Sequence, residues 1–209
     1  MTDLLAATTE LIAVPSVSGD EAAIAALVEE RLGASSWLTV DRVGDNVVAR
    51  TTLSRPQRLV VAGHLDTVPP NENAGARVDG DTVWGVGASD MKGGLAVMLD
   101  LAATLRDPAV DVTWCFYARE EVDRDRSGLL ELWQERPDLL SGDAALLGEP
   151  TNGLVEAGCQ GTMRVRITLH GVRAHSARPF TGRNAIHRLV PLLQRIAAWP
   201  SREVVLDGC

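Results

Sequence analysis

The sequence predicts an α/β fold, a mixed and largely parallel sheet flanked by helices, followed by the start of a small α+β domain. Three observations carry this expectation. Apolar runs at Leu59–Ala62, Val110–Tyr117 and Ala144–Leu147 read as strands, and helical patterns alternate with them. Each run leads within a few residues to a histidine or an acid, at the strand end where open α/β sheets bind ligands. After about Gly158 the pattern changes to the clean alternation of Thr162–Leu169, a strand with one wet face.

In chain order, Asp3–Val14 carries Leu4, Leu5, Leu11 and Ile12 at helical spacing and stops at Pro15. Ser16–Asp20 is a turn. A second amphipathic helix spans Glu21–Leu32, with Ile24, Leu27, Val28 and Leu32 on one side and Gly33 at its end. Leu38–Arg42 and Asn46–Thr51 form a hairpin across Val43-Gly44-Asp45. The strand into His64 follows, then a polar loop over Pro69–Asp81 and the short strand Thr82–Trp84. Gly85–Asp90 leads into a helix from Lys92 to Leu105, ended by Asp107-Pro108. A helix over Gly128–Glu135 is closed by Pro137. In the second part, a loop containing His175 leads to a helix over Arg183–Ala198, and Val204–Leu206 begins a strand.

Bulk properties narrow the function. The chain has 209 residues, 45% of them apolar, which supports a substantial core and argues against disorder. A net charge of −8 without blocks of one sign argues against nucleic acid or an anionic membrane as partner. No apolar run reaches the roughly 18 residues that cross a bilayer, and the N-terminus lacks the basic start of a signal peptide. Cys115, Cys159 and Cys209 are odd in number and far apart, so no disulfide framework is expected and the location expected is cytoplasmic.

The chemistry concentrates at strand ends. His64 and Asp66 lie two apart on an extended chain and so share a face. Glu120-Glu121 follow the second apolar strand, Glu149 the third, and Asp90 stands between a glycine-rich loop and a helix. Taken singly, His64 and Asp66 form a hydrogen-bonded pair, Asp90 caps a helix, and the glutamates are solvated. Together, one His and five carboxylates at one sheet edge repel one another, and a dication relieves that repulsion. The donor set suits zinc, manganese or cobalt, and no cysteine is close enough in sequence for a closed structural zinc site. The glycine-rich stretch lacks the Gly-Lys-Ser/Thr ending of a phosphate loop.

These motifs carry a resemblance. Gly63–Pro69, Gly85–Gly94, Glu120-Glu121 and Gly148-Glu149-Pro150, in this order and together with Ile12–Gly19, resemble the dinuclear-zinc amidohydrolases and peptidases. That family includes aminoacylases, acetylornithine deacetylases, carboxypeptidases and succinyl-diaminopimelate desuccinylases. Tyr117–Asp123 and Val155–Gly161 are most similar to the actinobacterial type of the last group. The resemblance implies a zinc-dependent amide hydrolase that releases succinate from N-succinyl-LL-2,6-diaminopimelate, with a related deacylase or peptidase as the alternative. It implies two zinc ions per subunit (cobalt or manganese replacing them): His64 and Glu149 on one, Glu121 on the other, and Asp90 bridging. Asp66 orients His64, Glu120 is the general base, and the peptide after Asp90 is cis.

The resemblance further makes residues 1–158 the catalytic, metal-binding domain and 159–209 part of a lid through which a homodimer forms. His175 then resembles the lid histidine that reaches a partner's site to polarise the substrate carbonyl, and Arg178 is a clamp for a substrate carboxylate. His170 and His187 receive no role. The family carries one more zinc-binding histidine near the end of a longer chain, and none follows His187 here. The expectation is therefore a chain that stops inside its second domain and, taken alone, a non-catalytic remnant as the competing reading.

Overall fold

The computed structural model describes residues 3–158 and 164–201. The chain divides into two compact units, Met1–Glu156 and Ala157–Cys209.

The first unit is built on a five-stranded sheet of β1 (Thr39–Val43), β2 (Asn46–Arg50), β3 (Arg58–His64), β6 (Asp111–Tyr117) and β7 (Ala144–Leu147). The spatial order is β1-β2-β6-β3-β7. β3 is parallel to both its neighbours, while β1–β2 and β2–β6 pair antiparallel. Only β2 therefore runs against the rest, which makes the sheet mixed and largely parallel. A separate hairpin joins β4 (Arg77–Asp79) to β5 (Thr82–Trp84). Sequence reasoning left Arg77–Asp79 inside the polar loop. One apolar residue, Val78, is too little for alternation to show, and the turn is set instead by Gly80 at φ +58°.

Alternation along the strands divides the core into two layers. Val47, Ala49, Val61, Val112, Trp114 and Phe116 pack with α1 (Leu4–Ile12), α2 (Ala22–Gly33) and α3 (Gly93–Thr104) through Leu11, Ile24, Val28 and Leu95. Val48, Val60, Ala62 and Cys115 face the other way, onto Leu132 of α4 (Gly128–Glu135) and Leu139. Two glycines let α3 approach the sheet. A Cβ on Gly63 would lie 2.5 Å from the Met91 side chain, and one on Gly94 would lie 2.5 Å from the carbonyl oxygen of Gly148. β7 closes one edge of the sheet with all four residues exposed.

α1 begins at Asp3, whose side chain accepts a bond from the Ala6 amide at 3.0 Å. At its other end the buried Lys92 ammonium donates to the carbonyls of Leu11 (3.1 Å) and Val14 (2.8 Å). A cation thus satisfies carbonyls at the end of one helix from the start of another.

In the second unit, α5 (Ala185–Ala197) is capped by Asn184, whose side chain accepts from the amides of Ile186 and His187. Ile186, Val190, Leu193 and Ile196 form an exposed stripe along it. The strand expected over Thr162–Leu169 is a correction. Residues 162 and 163 lie outside the described residues, and Arg164–Leu169 belongs to no strand. Alternation selects a face, but a strand also needs a ladder, and the one pairing described in this unit is the Val172–Arg183 bridge. The strand expected at Val204–Leu206 lies outside the described residues, as do Cys159 and Cys209. Among the described residues no helix is long and apolar enough to cross a membrane.

At the amino end of β6 the buried Asp111 accepts bonds from Thr51 Oγ1 (2.6 Å), the Leu53 amide (2.9 Å) and the Arg55 amide (2.9 Å). Burial opposes its ionisation, but these donors outweigh burial and hold the carboxyl below its ordinary value. With a folded-state pKa depressed, the stabilisation is present above the ordinary value of 3.8 and lost as pH falls through the lower one. Asp111→Ala is expected to cost about 2 kcal/mol at pH 7. Urea melts should show the gap from wild type closing below about pH 4.

Candidate metal centre

The parallel register brings three strand ends level. His64 stands opposite Tyr117 on β6, and Ala62 opposite Leu147 on β7. The Gly148 amide continues the ladder with a 2.9 Å bond to the Ala62 carbonyl, which carries Glu149 to the height of His64. The Leu65 amide donates to the Tyr117 carbonyl at 2.7 Å, so the chain beyond β3 stays tied to β6 as it turns.

His64 is buried at the centre. Its Nδ1 lies 3.0 Å from the Asp66 carbonyl oxygen and 3.4 Å from Asp66 Oδ1. Its Nε2 faces the opposite way, 2.9 Å from Asp90 Oδ1 and 3.9 Å from Glu149 Oε2. Single donor atoms of His64, Asp90 and Glu121 all lie within 4.8 Å of one another. Glu120 is exposed and stands outside this trio, whereas Glu121 is partly buried. The peptide bond between Asp90 and Met91 is cis.

Asp66 has no exposure, and donors surround it. Oδ1 accepts from the Glu120 amide at 2.9 Å; Oδ2 accepts from the Glu121 amide at 3.0 Å and from Ser18 Oγ at 2.6 Å. Burial works against its charge, but His64, Ser18 and the two amides prevail and bring its pKa down to about 2. Burial equally opposes a charged His64, yet the contacts with Asp66 and Asp90 push its pKa up to about 9.

The acids on the open side of the imidazole behave differently. Burial, then repulsion from Asp90, raises Glu121. Burial raises Glu149 as well, with Asp90, Glu120 and Glu121 adding repulsion against the relief from His64. An imidazole nitrogen and carboxylates converging from separate elements, with Glu121 and Glu149 pushed toward neutrality by burial and by repulsion, fit a divalent cation. His64 Nε2 and the carboxylates of Asp90, Glu121 and Glu149 would hold it. Asp66, engaged on Nδ1, would fix the imidazole tautomer and orientation. Cys115 is buried and its thiol is pushed up to about 12 by burial, so it serves the core.

His175 and Arg178 belong to the second unit, where both are exposed. His175 Nδ1 accepts from the Ala177 amide at 3.1 Å, and the Arg178 amide donates to the His175 carbonyl at 2.8 Å. Three residues at or near the centre escaped sequence reasoning. Ser18 and Glu21 fell in a turn and a helix start, with no periodicity to mark them. Lys92 did leave a signal, since a lysine at the start of a helix opposes the helix dipole and needs another reason to be there.

The family model for peptidase family M20/M25/M40 matches residues 60–198. A putative succinyl-diaminopimelate desuccinylase of Mycobacterium tuberculosis is 50% identical over 208 residues, which cover 99% of this chain and 59% of that protein. The succinyl-diaminopimelate desuccinylase of Corynebacterium glutamicum is 44% identical, covering 99% of this chain and 57% of that protein. The chain thus spans under two thirds of the length of these relatives. Among solved structures, a Staphylococcus aureus tripeptidase superposes with a TM-score of 0.63 at 19% identity, over 92% of this chain and 55% of that one. A Bacillus subtilis dinuclear metal-binding peptidase gives 0.51 at 16% identity, over 69% and 41%. At these identities the superpositions establish the fold.

A metal at this centre must displace a proton. Below a His64 pKa of about 9, binding is expected to release one proton, and the apparent affinity to fall about tenfold for each pH unit downward. Zinc titrations in buffers of different ionisation enthalpy measure that release. His64→Ala should abolish tight binding.

Proposed function

The chain belongs to peptidase family M20/M25/M40, and on that premise we propose that it serves metal-dependent hydrolysis of an amide bond in N-succinyl-LL-2,6-diaminopimelate. The products are succinate and LL-2,6-diaminopimelate, in the biosynthesis of diaminopimelate and lysine in the cytoplasm. The observation that carries the reaction class is the convergence of His64, Asp90 and Glu121 donors within 4.8 Å, beyond the ends of the parallel strands β3 and β6. The substrate rests on 44–50% identity to the two actinobacterial proteins.

His64 and Glu149 are assigned to one zinc and Glu121 to a second, with Asp90 shared between them. When bound, the metal supplies a Lewis acid and lowers the pKa of water to about 7. The protein's own groups do the rest. Asp66 keeps His64 oriented, with Nε2 directed at the cluster. Glu120, exposed beside the trio, accepts the proton of the water that attacks the amide carbonyl and passes it to the departing amine. The developing oxyanion calls for a further donor, assigned to His175 of a second copy, and Arg178 is assigned to a substrate carboxylate. The exposed stripe of α5 supports association through the second unit.

The zinc-loaded protein is expected to release succinate from N-succinyl-LL-2,6-diaminopimelate with a higher kcat/KM than it deacylates N-acetylornithine; the reverse ranking overturns the substrate assignment. Glu120→Ala should lower kcat by about 10²–10⁴-fold and leave the zinc content unchanged.

A further inference from the structure

We propose that Glu21 is a positioning residue of the metal centre: with Asp66 it clamps three consecutive backbone amides, those of Arg119, Glu120 and Glu121, and thereby aims the two glutamate side chains. The inference rests on the metal-centre reading above and adds to it a residue that lies outside the donor set.

The clamp is continuous. Glu21 Oε1 accepts from the Arg119 amide at 3.1 Å, Asp66 Oδ1 from the Glu120 amide at 2.9 Å, and Asp66 Oδ2 from the Glu121 amide at 3.0 Å. Successive amides aimed at one side of the chain form an anion-binding concavity, which needs a residue in the left-handed region. Arg119 supplies it, at φ +58° without being glycine. Its guanidinium is tied to the Arg126 carbonyl and to Glu131, which anchors the turn from outside. Once three adjacent amides are held, the Cα–Cβ directions of Glu120 and Glu121 are set, one outward to solvent and the other into the cluster.

A purely local role does not account for Glu21. It stands where α2 begins yet makes no bond to the amides of that helix. Oε1 instead turns back to the Gly19 amide at 2.9 Å and across to Arg119. The side chain is wholly buried, and among the described residues Oε2 has no hydrogen-bond partner. A helix start is served by an exposed acid or a serine. Burial of a carboxylate 98 residues away from the amide it holds is explained by that amide.

The test separates the acceptor from the charge. Glu21→Gln keeps an oxygen at the Oε1 position and removes the charge. Glu21→Asp keeps the charge and withdraws the acceptor by a methylene. Asp111→Asn alters a buried carboxylate that binds amides at the opposite end of β6, and so controls for general destabilisation. Zinc affinity by calorimetry is expected to fall about 10–100-fold in Glu21→Asp. It should stay within about threefold of wild type in Glu21→Gln and Asp111→Asn. Amide exchange in the metal-free proteins, read residue by residue, should quicken at Arg119 in Glu21→Asp and not in Asp111→Asn. Unchanged exchange at Arg119 overturns the clamp whatever the metal does. Loss of affinity in Glu21→Gln but not in Glu21→Asp overturns it in favour of a charge effect, and equal losses in Glu21→Asp and Asp111→Asn overturn it in favour of stability alone. A wild-type protein that binds no zinc removes the metal-centre reading and leaves the clamp to be judged by exchange.

Discussion

The buried charge of Asp66 is the constraint on which the first unit depends. An unpaired carboxylate taken out of water costs several kcal/mol, so the site persists only with its donors in place. Those donors come from three segments distant in sequence: Ser18 between α1 and α2, His64 at the end of β3, and the Glu120 and Glu121 amides after β6. Satisfying one carboxylate therefore ties the two loops that leave β3 and β6 to the turn between α1 and α2. The centre is assembled by the same bonds that finish the fold.

The sheet prepares this closure. Parallel pairing of β3 with both β6 and β7 delivers His64, Glu149 and the Glu120–Glu121 pair to one edge, since parallel strands end on the same side. Glycines at 63 and 94 let Met91 and α3 press against the strand ends, which brings Asp90 over the imidazole. Lys92 secures the same turn from behind by taking the carbonyls of Leu11, in the last turn of α1, and of Val14 just beyond it. Asp111 performs at the other end of β6 what Asp66 does here, binding loop amides where a strand begins. The sheet is held at both ends by buried carboxylates and in the middle by apolar packing.

What could be read in the sequence follows from which interactions have a period. β7 and α4 were legible to the residue, because an apolar run and a helical stripe repeat at fixed intervals. The convergence of His64, Asp90 and Glu121 was legible because His64 and Glu121 follow apolar runs and Asp90 stands between a glycine-rich loop and a helix. Glu21 and Ser18 were not, since their partners stand 98 and 48 residues away and no local pattern encodes such a bond. Arg77–Asp79 was too short to alternate. Arg164–Leu169 shows the opposite failure, alternation without a ladder. Periodicity reports the face a segment would bury, and pairing decides whether it becomes a strand.

The protonation pattern of the centre follows from the placement of its charges. Asp66 lies on the Nδ1 side of His64, where its charge is matched by four donors, and it stays ionised. Asp90, Glu121 and Glu149 lie on the Nε2 side with less than a full set of donors. Burial and mutual repulsion raise the two glutamates. The protonated His64, its Nε2 2.9 Å from Asp90 Oδ1, offsets part of that repulsion. The same nitrogen and the same carboxylates would face a cation. Exchange of proton for metal then requires no rearrangement of His64, because Asp66 holds the ring from Nδ1 in both states. The geometry therefore separates a side whose charge is matched by donors from a side whose carboxylates a cation would match, and the imidazole is the wall between them.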